Sequence, residues 1–428
     1  MSEHKSDPET PDTTIVQHSE NAGDDVEEET FPEGGWQAWM TVLGAALVQF
    51  STFGYTNAFG VYQGAYVWIV ETPSCIGWIG GIQIFLVLGS GIITGRAFDR
   101  GYFHHLMIAG SLLHAFSFFM LSLAHENQYY QIILSQGLGG GLGAGIIYTP
   151  CVAIGSHYFK RNLPVAIGLV AAGTALGAVL HPIMLNHLLH DARSFPHAVR
   201  MSAVLNSSLL VVANLMMRTR LPPKKNITVI PYAAFARDVP YLFLLLGGML
   251  IICAFSFPVF FLQLYGNANG FGQGFVQYCF PIMNASSILG RIIPATLAPR
   301  VGVINLAIIC TLCMSILMFS LRAVTNTNGL IAFSAIYGFF SGGGVALTPA
   351  MLASLARDVD EIGARIGVSF ALSGTIGLFA IPIAGALLTS ELHWWRPIIF
   401  GGTTMLSGAC CYIITRFLVA RRRGTQLV

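Results

Sequence analysis

Charge is what this sequence has least of. Asp, Glu, Lys and Arg make up 10% of its 428 residues, where an ordinary soluble domain carries about 25%. A charged side chain at the centre of a bilayer costs about 2.5–3.5 kcal/mol on insertion scales. A chain that excludes charge on this scale is one whose solvent is lipid. Other absences narrow the function. No Gly-x4-Gly-Lys-Ser/Thr loop is present to cradle a nucleotide phosphate. No His/Glu cluster has the spacing of a metal site, and the few carboxylates within apolar sequence form no acid/base pair, which argues against an integral-membrane enzyme. No basic stretch is interleaved with aromatics, and the formal net charge is only +2, so nucleic acid is not an expected partner. No cofactor or metal is expected.

Two further absences concern the chain ends and the thiols. Residues 1–36 lack an apolar signal-peptide core and carry the acidic run Asp24, Asp25, Glu27, Glu28 and Glu29. This arm is expected to be disordered, and the first apolar segment then acts as an uncleaved signal-anchor. The eight cysteines do not form a disulfide framework. Most lie in apolar runs, among them Cys253, Cys279, Cys410 and Cys411, and Cys310-Thr-Leu-Cys313 has no second pair, so packing is the expected role.

What remains is 54% hydrophobic, arranged in runs long enough to cross a core of roughly 30 Å, which takes ~20 helical residues. Spans are expected near 39–62, 76–95, 105–124, 130–156, 163–188, 198–217, 241–262, 275–297, 303–321, 330–352, 365–388 and 398–419. Lys and Arg decide which way they face. One set of loops holds Arg96 and Arg100, Lys160 and Arg161, Arg218, Arg220, Lys224, Lys225 and Arg237, Arg300, and Arg357 with Arg365; the C-terminal end adds Arg416 and Arg421–Arg423. The opposite loops hold little beyond Arg193, Arg322 and Arg396. Both termini are therefore expected in the cytoplasm of a multi-pass protein, most naturally in the plasma membrane. The sequons at Asn206, Asn226 and Asn284 fall in spans or in the cytoplasmic linker and are discounted as glycosylation sites.

The two halves repeat. Gly145-Ile-Ile-Tyr-Thr149-Pro150 matches Gly344-Val-Ala-Leu-Thr348-Pro349; Ile167-Gly168 matches Ile366-Gly367; Gly177 with Pro182 matches Gly377 with Pro382; Arg100 matches Arg300. The offset is 199 or 200 residues each time. Six spans separate the copies, so they share one orientation. The expected architecture is an all-α membrane protein of twelve helices in two six-helix bundles, 37–217 and 239–420, related by a pseudo-two-fold axis. A linker at 218–238 joins them, and a basic tail occupies 421–428. In such a plan, substrate binds near the midplane between the bundles.

Several motifs resemble known families. Gly95-Arg96-Ala-Phe-Asp99-Arg100-Gly101 is similar to the loop signature of the major facilitator superfamily, and implies a gating role for Arg96, Asp99 and Arg100. The second copy, Leu297-Ala298-Pro299-Arg300-Val301-Gly302, has Pro where the Asp would stand. Glu33-Gly34-Gly35-Trp36-Gln37-Ala38-Trp39 resembles the opening motif of the monocarboxylate transporters, in the form of the fungal branch. Cys75-Ile-Gly77-Trp78, Tyr158-Phe159-Lys160-Arg161 and Asn284-Ala285-Ser286-Ser287-Ile-Leu-Gly290-Arg291 agree, and the resemblance spans roughly residues 31–420. It implies secondary active or facilitative transport of a small organic solute, an organic acid for instance, by alternating access. A proton is the candidate coupling ion. Two departures weaken a lactate-like cargo: Asn57 and Ser287 stand where the acid carriers have Lys and Asp. Export of a fungal secondary metabolite is the alternative, and a non-transporting sensor a remoter one.

Polar residues within the spans are the candidate substrate contacts. They are Arg291, whose family position implies substrate handling, with Asn284, Asn57, Gln83 and His181. His181 is the one whose ordinary titration range lies near neutral pH.

Overall fold

Among the described residues, twelve long helices follow one another along the chain. The structure, a computed structural model, describes residues 32–59, 62, 73–125, 128–189, 195–220, 232–272, 276, 278–357, 361–388 and 393–428. The expected disorder of the acidic arm and most of the linker fall outside the described residues, as do Gly60 and Val61 near the end of the first expected span.

Helix α1 (Trp36–Gln49) continues as a π-helical turn, Phe50–Gly54. α2 runs Pro73–Gly89 and resumes as Gly91–Asp99. α3 is Phe103–Leu121 and α4 Tyr129–His157, the latter π-helical over Ile133–Gly140. α5 (Leu163–Leu189) and α6 (Phe195–Met216) complete the first set of six. The second set is α7 (Val239–Ala268), α8 (Cys279–Val301), α9 (Val303–Ser320), α10 (Thr327–Ser354), α11 (Ile362–Leu388) and α12 (Trp395–Arg423). A short helix, Tyr232–Phe235, precedes α7. Among the described residues there is no strand. That is the chain's solution to lipid, where every backbone N–H and C=O must be satisfied within its own segment.

Ten of these helices are long and apolar enough to cross a membrane. The two others have visible reasons. α1 is interrupted by its π turn, and α8 carries Asn284, Ser286, Ser287, Arg291 and Arg300 in a single helix. The outer surface is apolar: Leu112, Phe116, Leu215, Ile316 and Phe417 are each exposed by 59–73%. So broad an apolar coat would be a liability in water and is the natural face toward acyl chains.

The repeat positions fall on equivalent helices. Thr149-Pro150 lies in α4 and Thr348-Pro349 in α10, each Pro inside its helix; Gly177 lies in α5 and Gly377 in α11. The bundles meet along two seams, α2 against α11 and α5 against α8. Glycine makes both seams possible. A Cβ on Gly95 would overlap the Gly363 carbonyl, and one on Gly367 would overlap that of Gly91. Across the second seam, a Cβ on Gly168 would stand 2.5 Å from the Arg291 carbonyl oxygen.

Three boundaries correct the sequence reading. Arg365, expected in a basic loop, lies inside α11 and is 2% exposed. The basic residues Arg421–Arg423, expected in a tail, are the last turn of α12, where cations favour the helix dipole. α7, with 30 residues, is about 45 Å long at 1.5 Å per residue. It therefore outreaches the expected span 241–262 at both ends.

Candidate functional site

A cavity of about 200 Å3 lies between the bundles. Its wall is mostly apolar. Phe53 of α1, Tyr148 of α4 and Phe370 of α11 form one continuous aromatic surface, with ring centroids 5.4 Å apart from Phe53 to Tyr148 and 5.2 Å from Tyr148 to Phe370. Ile84, Leu88, Phe255, Val259 and Phe260 extend it. Polar side chains are few and dispersed, among them Gln49, Asn57, Thr174, Thr348 and Arg291.

Arg291 is 8% exposed and lines this cavity from α8. Its Nη1 donates to the backbone carbonyl of Ala171 on α5, across the seam, while its Nε has no hydrogen-bond partner. A buried guanidinium N–H without an acceptor is unusual, because desolvating such a group unpaired costs about 1–3 kcal/mol or more. Gln49, on the opposite bundle, is similar. Its Oε1 accepts from Thr174 at 3.0 Å, and its Nε2 is buried without a partner. Gln49 was not among the sequence candidates, although a lone amide within an apolar run was a signal of the same kind as Asn57.

Asn57 also lines the cavity, its amide donating to the Phe53 carbonyl one turn back at 2.7 Å. The other three candidates stand away from the wall. Asn284 is half-buried and donates to the Phe280 carbonyl of its own helix at 3.1 Å. Gln83 is fully buried against α1, where its Nε2 donates to Thr56 Oγ1 at 3.3 Å. His181 packs between Phe50 and Tyr55, its Nε2 3.1 Å from the Phe50 carbonyl oxygen.

On the side carrying the basic connections, the loop signature makes a contact between the bundles. The Asp99 carboxylate accepts the backbone N–H groups of Gly363 at 3.1 Å and Ala364 at 2.7 Å. These are orphan donors of the first turn of α11, and an anion there also meets the positive end of the helix dipole. Arg96 is half-buried one turn before the end of α2, and Arg100 is exposed at that end.

Glu33 does the corresponding work for α5. Its carboxylate accepts the N–H groups of Lys160 at 2.8 Å, Arg161 at 2.5 Å and Asn162 at 2.9 Å, just before the helix begins. Burial works against the charged form. The three backbone N–H groups and the Arg161 charge outweigh it and hold the carboxyl below its ordinary value. Glu33 adopts φ 50 to do so, and Gly35 follows at φ 96, a conformation that needs glycine. Thus the acid of the Glu-Gly-Gly motif is a helix cap, and Trp39 packs beside it on Phe159 with centroids 5.0 Å apart.

A second polar cluster on the basic side escaped the sequence reading. Arg365 pairs with Asp238 at 3.0 Å and with Glu361 at 3.1 Å, and Arg422 bonds the other Asp238 oxygen at 2.8 Å. The Arg365 guanidinium also lies over the rings of Phe235 and Tyr241 at 4.8 and 4.9 Å. Burial opposes ionisation of Asp238, but the bonds and charges of Arg422 and Arg365 prevail and its pKa is lowered.

These features have known counterparts. The sequence model of the Major Facilitator Superfamily matches residues 41–356. The chain is 37% identical over 385 residues to the aspyridones efflux protein apdF of Emericella nidulans, covering 89% of this chain and 78% of that one. It is 31% identical over 396 residues to the MFS-type transporter pynF of Aspergillus niger, covering 90% of each. Among solved structures it resembles the transporter FucP in its outward conformation, with a TM-score of 0.70 at 14% identity over 88% of this chain and 98% of that one. The human organic anion transporter MFSD10 is similar at a TM-score of 0.65 and 14% identity, over 89% of this chain and 98% of that one. With its twelve helices, its two bundles and these relatives, the chain belongs to the Major Facilitator Superfamily and is a membrane transporter rather than an enzyme.

Proposed function

We propose that the transporter exports an apolar organic molecule bearing an acidic or otherwise acceptor-rich head group, and that the cavity between the bundles is its cargo site. One observation carries this reading. Two buried donors, Arg291 Nε and Gln49 Nε2, stand without partners on side chains of a mostly apolar wall, one on each bundle. A carboxylate or enolate is an acceptor for either donor, and a guanidinium suits a planar anion. The aromatic surface of Phe53, Tyr148 and Phe370 suits a large apolar body better than a lactate-sized acid. The absence of the acid-carrier Lys and Asp at Asn57 and Ser287 points the same way. The monocarboxylate-like opening motif then marks ancestry, with cargo chemistry changed in the cavity. Export rather than uptake is favoured by the relative named as an efflux protein.

In this reading the basic side faces the cytoplasm, and both termini lie there. Asp99 holds that side closed by capping α11 across the seam. Alternating access requires this cap to break, releasing one bundle to rock against the other.

The test is binding to the purified full chain, read as the midpoint of thermal unfolding. Lipophilic aromatic acids should raise the midpoint, since a ligand at a hundredfold its Kd adds about 2.7 kcal/mol. Their methyl esters should raise it much less. Equal shifts for acids and esters would remove the acidic head group from the proposal.

A further inference from the structure

The cavity treats the two bundles differently. Among the described residues, none of α3 lines it, whereas Thr311 and Met314 of α9, the repeat counterpart of α3, both do. Met314 stands 200 residues after His114, the offset that relates Arg100 to Arg300. His114 is fixed on two sides, its Nδ1 3.3 Å from the Gly140 carbonyl oxygen and its Nε2 3.2 Å from that of Ser51. A methionine is unbranched, has three rotatable bonds and carries no donor to tether it. In the second bundle the cavity therefore continues as an arm that reaches α9 between α7, α10 and α12, past Gly248, Ile252 and Tyr412.

Two adjacent glycines of α7 show where the room lies. A Cβ on Gly247 would stand 2.7 Å from the Tyr412 ring, so this glycine lets α7 and α12 meet. A Cβ on Gly248 would meet, among the described residues, only the Tyr412 hydroxyl, at 3.7 Å, so this one leaves space. On α10, a Cβ on Gly344 would stand 3.1 Å from Cε of Met314, the free end of that side chain. The hydroxyls around the arm are already engaged. Thr311 donates to the Ala307 carbonyl at 2.8 Å, Thr348 to that of Gly344 at 2.8 Å and Ser341 to that of Gly338 at 2.9 Å, while the Tyr412 hydroxyl pairs with Thr348. Arg291 Nε and Gln49 Nε2 are the opposite case, since both lack an acceptor. A group entering the arm gains by being apolar, and one meeting Arg291 or Gln49 gains by accepting a hydrogen bond.

We propose that this arm is a tail pocket for an unbranched alkyl chain of the cargo, with Gly248 setting its width and Met314 its depth. The head group to which the chain is attached rests on the cargo reading above; the arm rests on its own lining. Its walls and its floor differ in stiffness. Ile251 and Ile252 are β-branched and hold one χ1 rotamer in a helix, and the Tyr412 ring is rigid. The Met314 thioether can change rotamer and yield. A pocket with stiff walls and a yielding floor tolerates tails of different length and rejects tails of greater breadth. The transporter therefore accepts a homologous series of straight-chain cargo and discriminates against branching close to the ring or head group.

The test measures Kd on the purified full chain in lipid nanodiscs for para-alkylbenzoates from methyl to hexyl, and for the methyl esters of the same acids. In the wild type each added methylene should tighten binding roughly fourfold until the arm is full. Gly248→Leu places a side chain in the open space, and should abolish that gain while leaving the Kd of the para-methyl compound within about twofold. The para-tert-butyl acid should bind the wild type roughly tenfold more weakly than the para-butyl acid. Partition into lipid is the same for both proteins and cancels in the comparison. Gly248→Val replaces the Leu form if that form melts below the wild type without ligand. An equal gain with chain length in wild type and variant overturns the arm, as does no gain with either series. Equal binding of the butyl and tert-butyl acids overturns the preference for an unbranched chain. Acids that bind no better than their esters, with the gain still lost in Gly248→Leu, leave the arm standing and remove the acidic head group. Acids that outbind their esters with an unchanged gain in the variant do the reverse.

Discussion

Asp99 and Ala364 are 265 residues apart in sequence, and a 2.7 Å hydrogen bond from the Ala364 N–H to the Asp99 carboxylate joins the two bundles. The bond is charge-assisted and caps a helix, so it carries more than an exposed ion pair would. Asp99→Asn keeps an acceptor but removes the charge. Hydrogen bonds to charged groups are worth about 1.5–3 kcal/mol, so the substitution should lower the population closed on the basic side by roughly tenfold. Spin labels on the basic ends of α2 and α11 should report longer distances, with surface expression kept and transport reduced. An unchanged distance distribution with normal transport would make Asp99 a passive cap.

The same seam offers a steric test. A Cβ at Gly367 would overlap the Gly91 carbonyl oxygen. Backbone cannot move aside as a flexible side chain does, so Gly367→Ala should separate the bundles at this end rather than unfold either one. The label distance should lengthen as for Asp99→Asn while the melting midpoint stays within a few degrees. Collapse of expression would show that the seam is needed for folding.

Glu33 predicts a pH dependence. Its folded pKa lies below its ordinary value of 4.5. Its stabilisation is therefore present above that value and is lost as pH falls through the folded one. Asp238, also lowered from an ordinary 3.8, acts in the same direction. Stability should hold from pH 7 to about 5 and fall below about 4. Glu33→Gln should cost on the order of 1 kcal/mol at pH 7, typical of a lost cap. In thermal unfolding between pH 3 and 7, it should also flatten part of the acid limb. An acid limb identical to the wild type would assign the pH dependence elsewhere.

The Arg365 network predicts an asymmetry. Asp238→Ala leaves the Arg365 guanidinium, 2% exposed, with Glu361 as its remaining ion-pair partner among the described residues, and breaking a buried pair from one side costs about 3–5 kcal/mol. Arg365→Met removes the buried cation and leaves Asp238 its bond to Arg422. The Asp238 variant should therefore melt well below the Arg365 variant. The reverse order would mean that the stacking of Arg365 on Phe235 and Tyr241 outweighs the ion pair.

Arg291 separates charge from shape. Arg291→Lys keeps the charge but loses the planar fork, and should weaken binding of lipophilic acids by roughly tenfold, about 1.4 kcal/mol. Arg291→Ala should abolish the thermal shift, and Gln49→Leu should reduce it without affecting melting in the absence of ligand. Full binding by Arg291→Ala would remove this residue from the cargo site.

The membrane, the twelve helices and the duplication were legible in the sequence because each is a property of composition and spacing along one dimension. Lipid excludes charge whatever the tertiary structure is, and a 199-residue offset between Thr149 and Thr348 needs no coordinates. Arg291 and Asp99 could be singled out for the same reason, as charges in a charge-poor chain. The sequence could not say what they touch. Whether Asn57 or Asn284 reaches the cavity depends on the rotation of each helix about its axis. In lipid both faces of a helix are apolar, so hydrophobic periodicity does not report that rotation. Gln49, His114, Asp238 and Arg365 became meaningful only when helices far apart in sequence brought Thr174, the Ser51 and Gly140 carbonyls, and Arg422 against them. Glu33 is the sharpest case: its motif was readable, but its role as a cap arises because the chain before α1 passes the start of α5, 129 residues on from Glu33 to Asn162. Composition decided the solvent and the number of crossings; packing decided which polar groups were left unsatisfied, because helix rotation and contacts between distant helices are not written along one dimension.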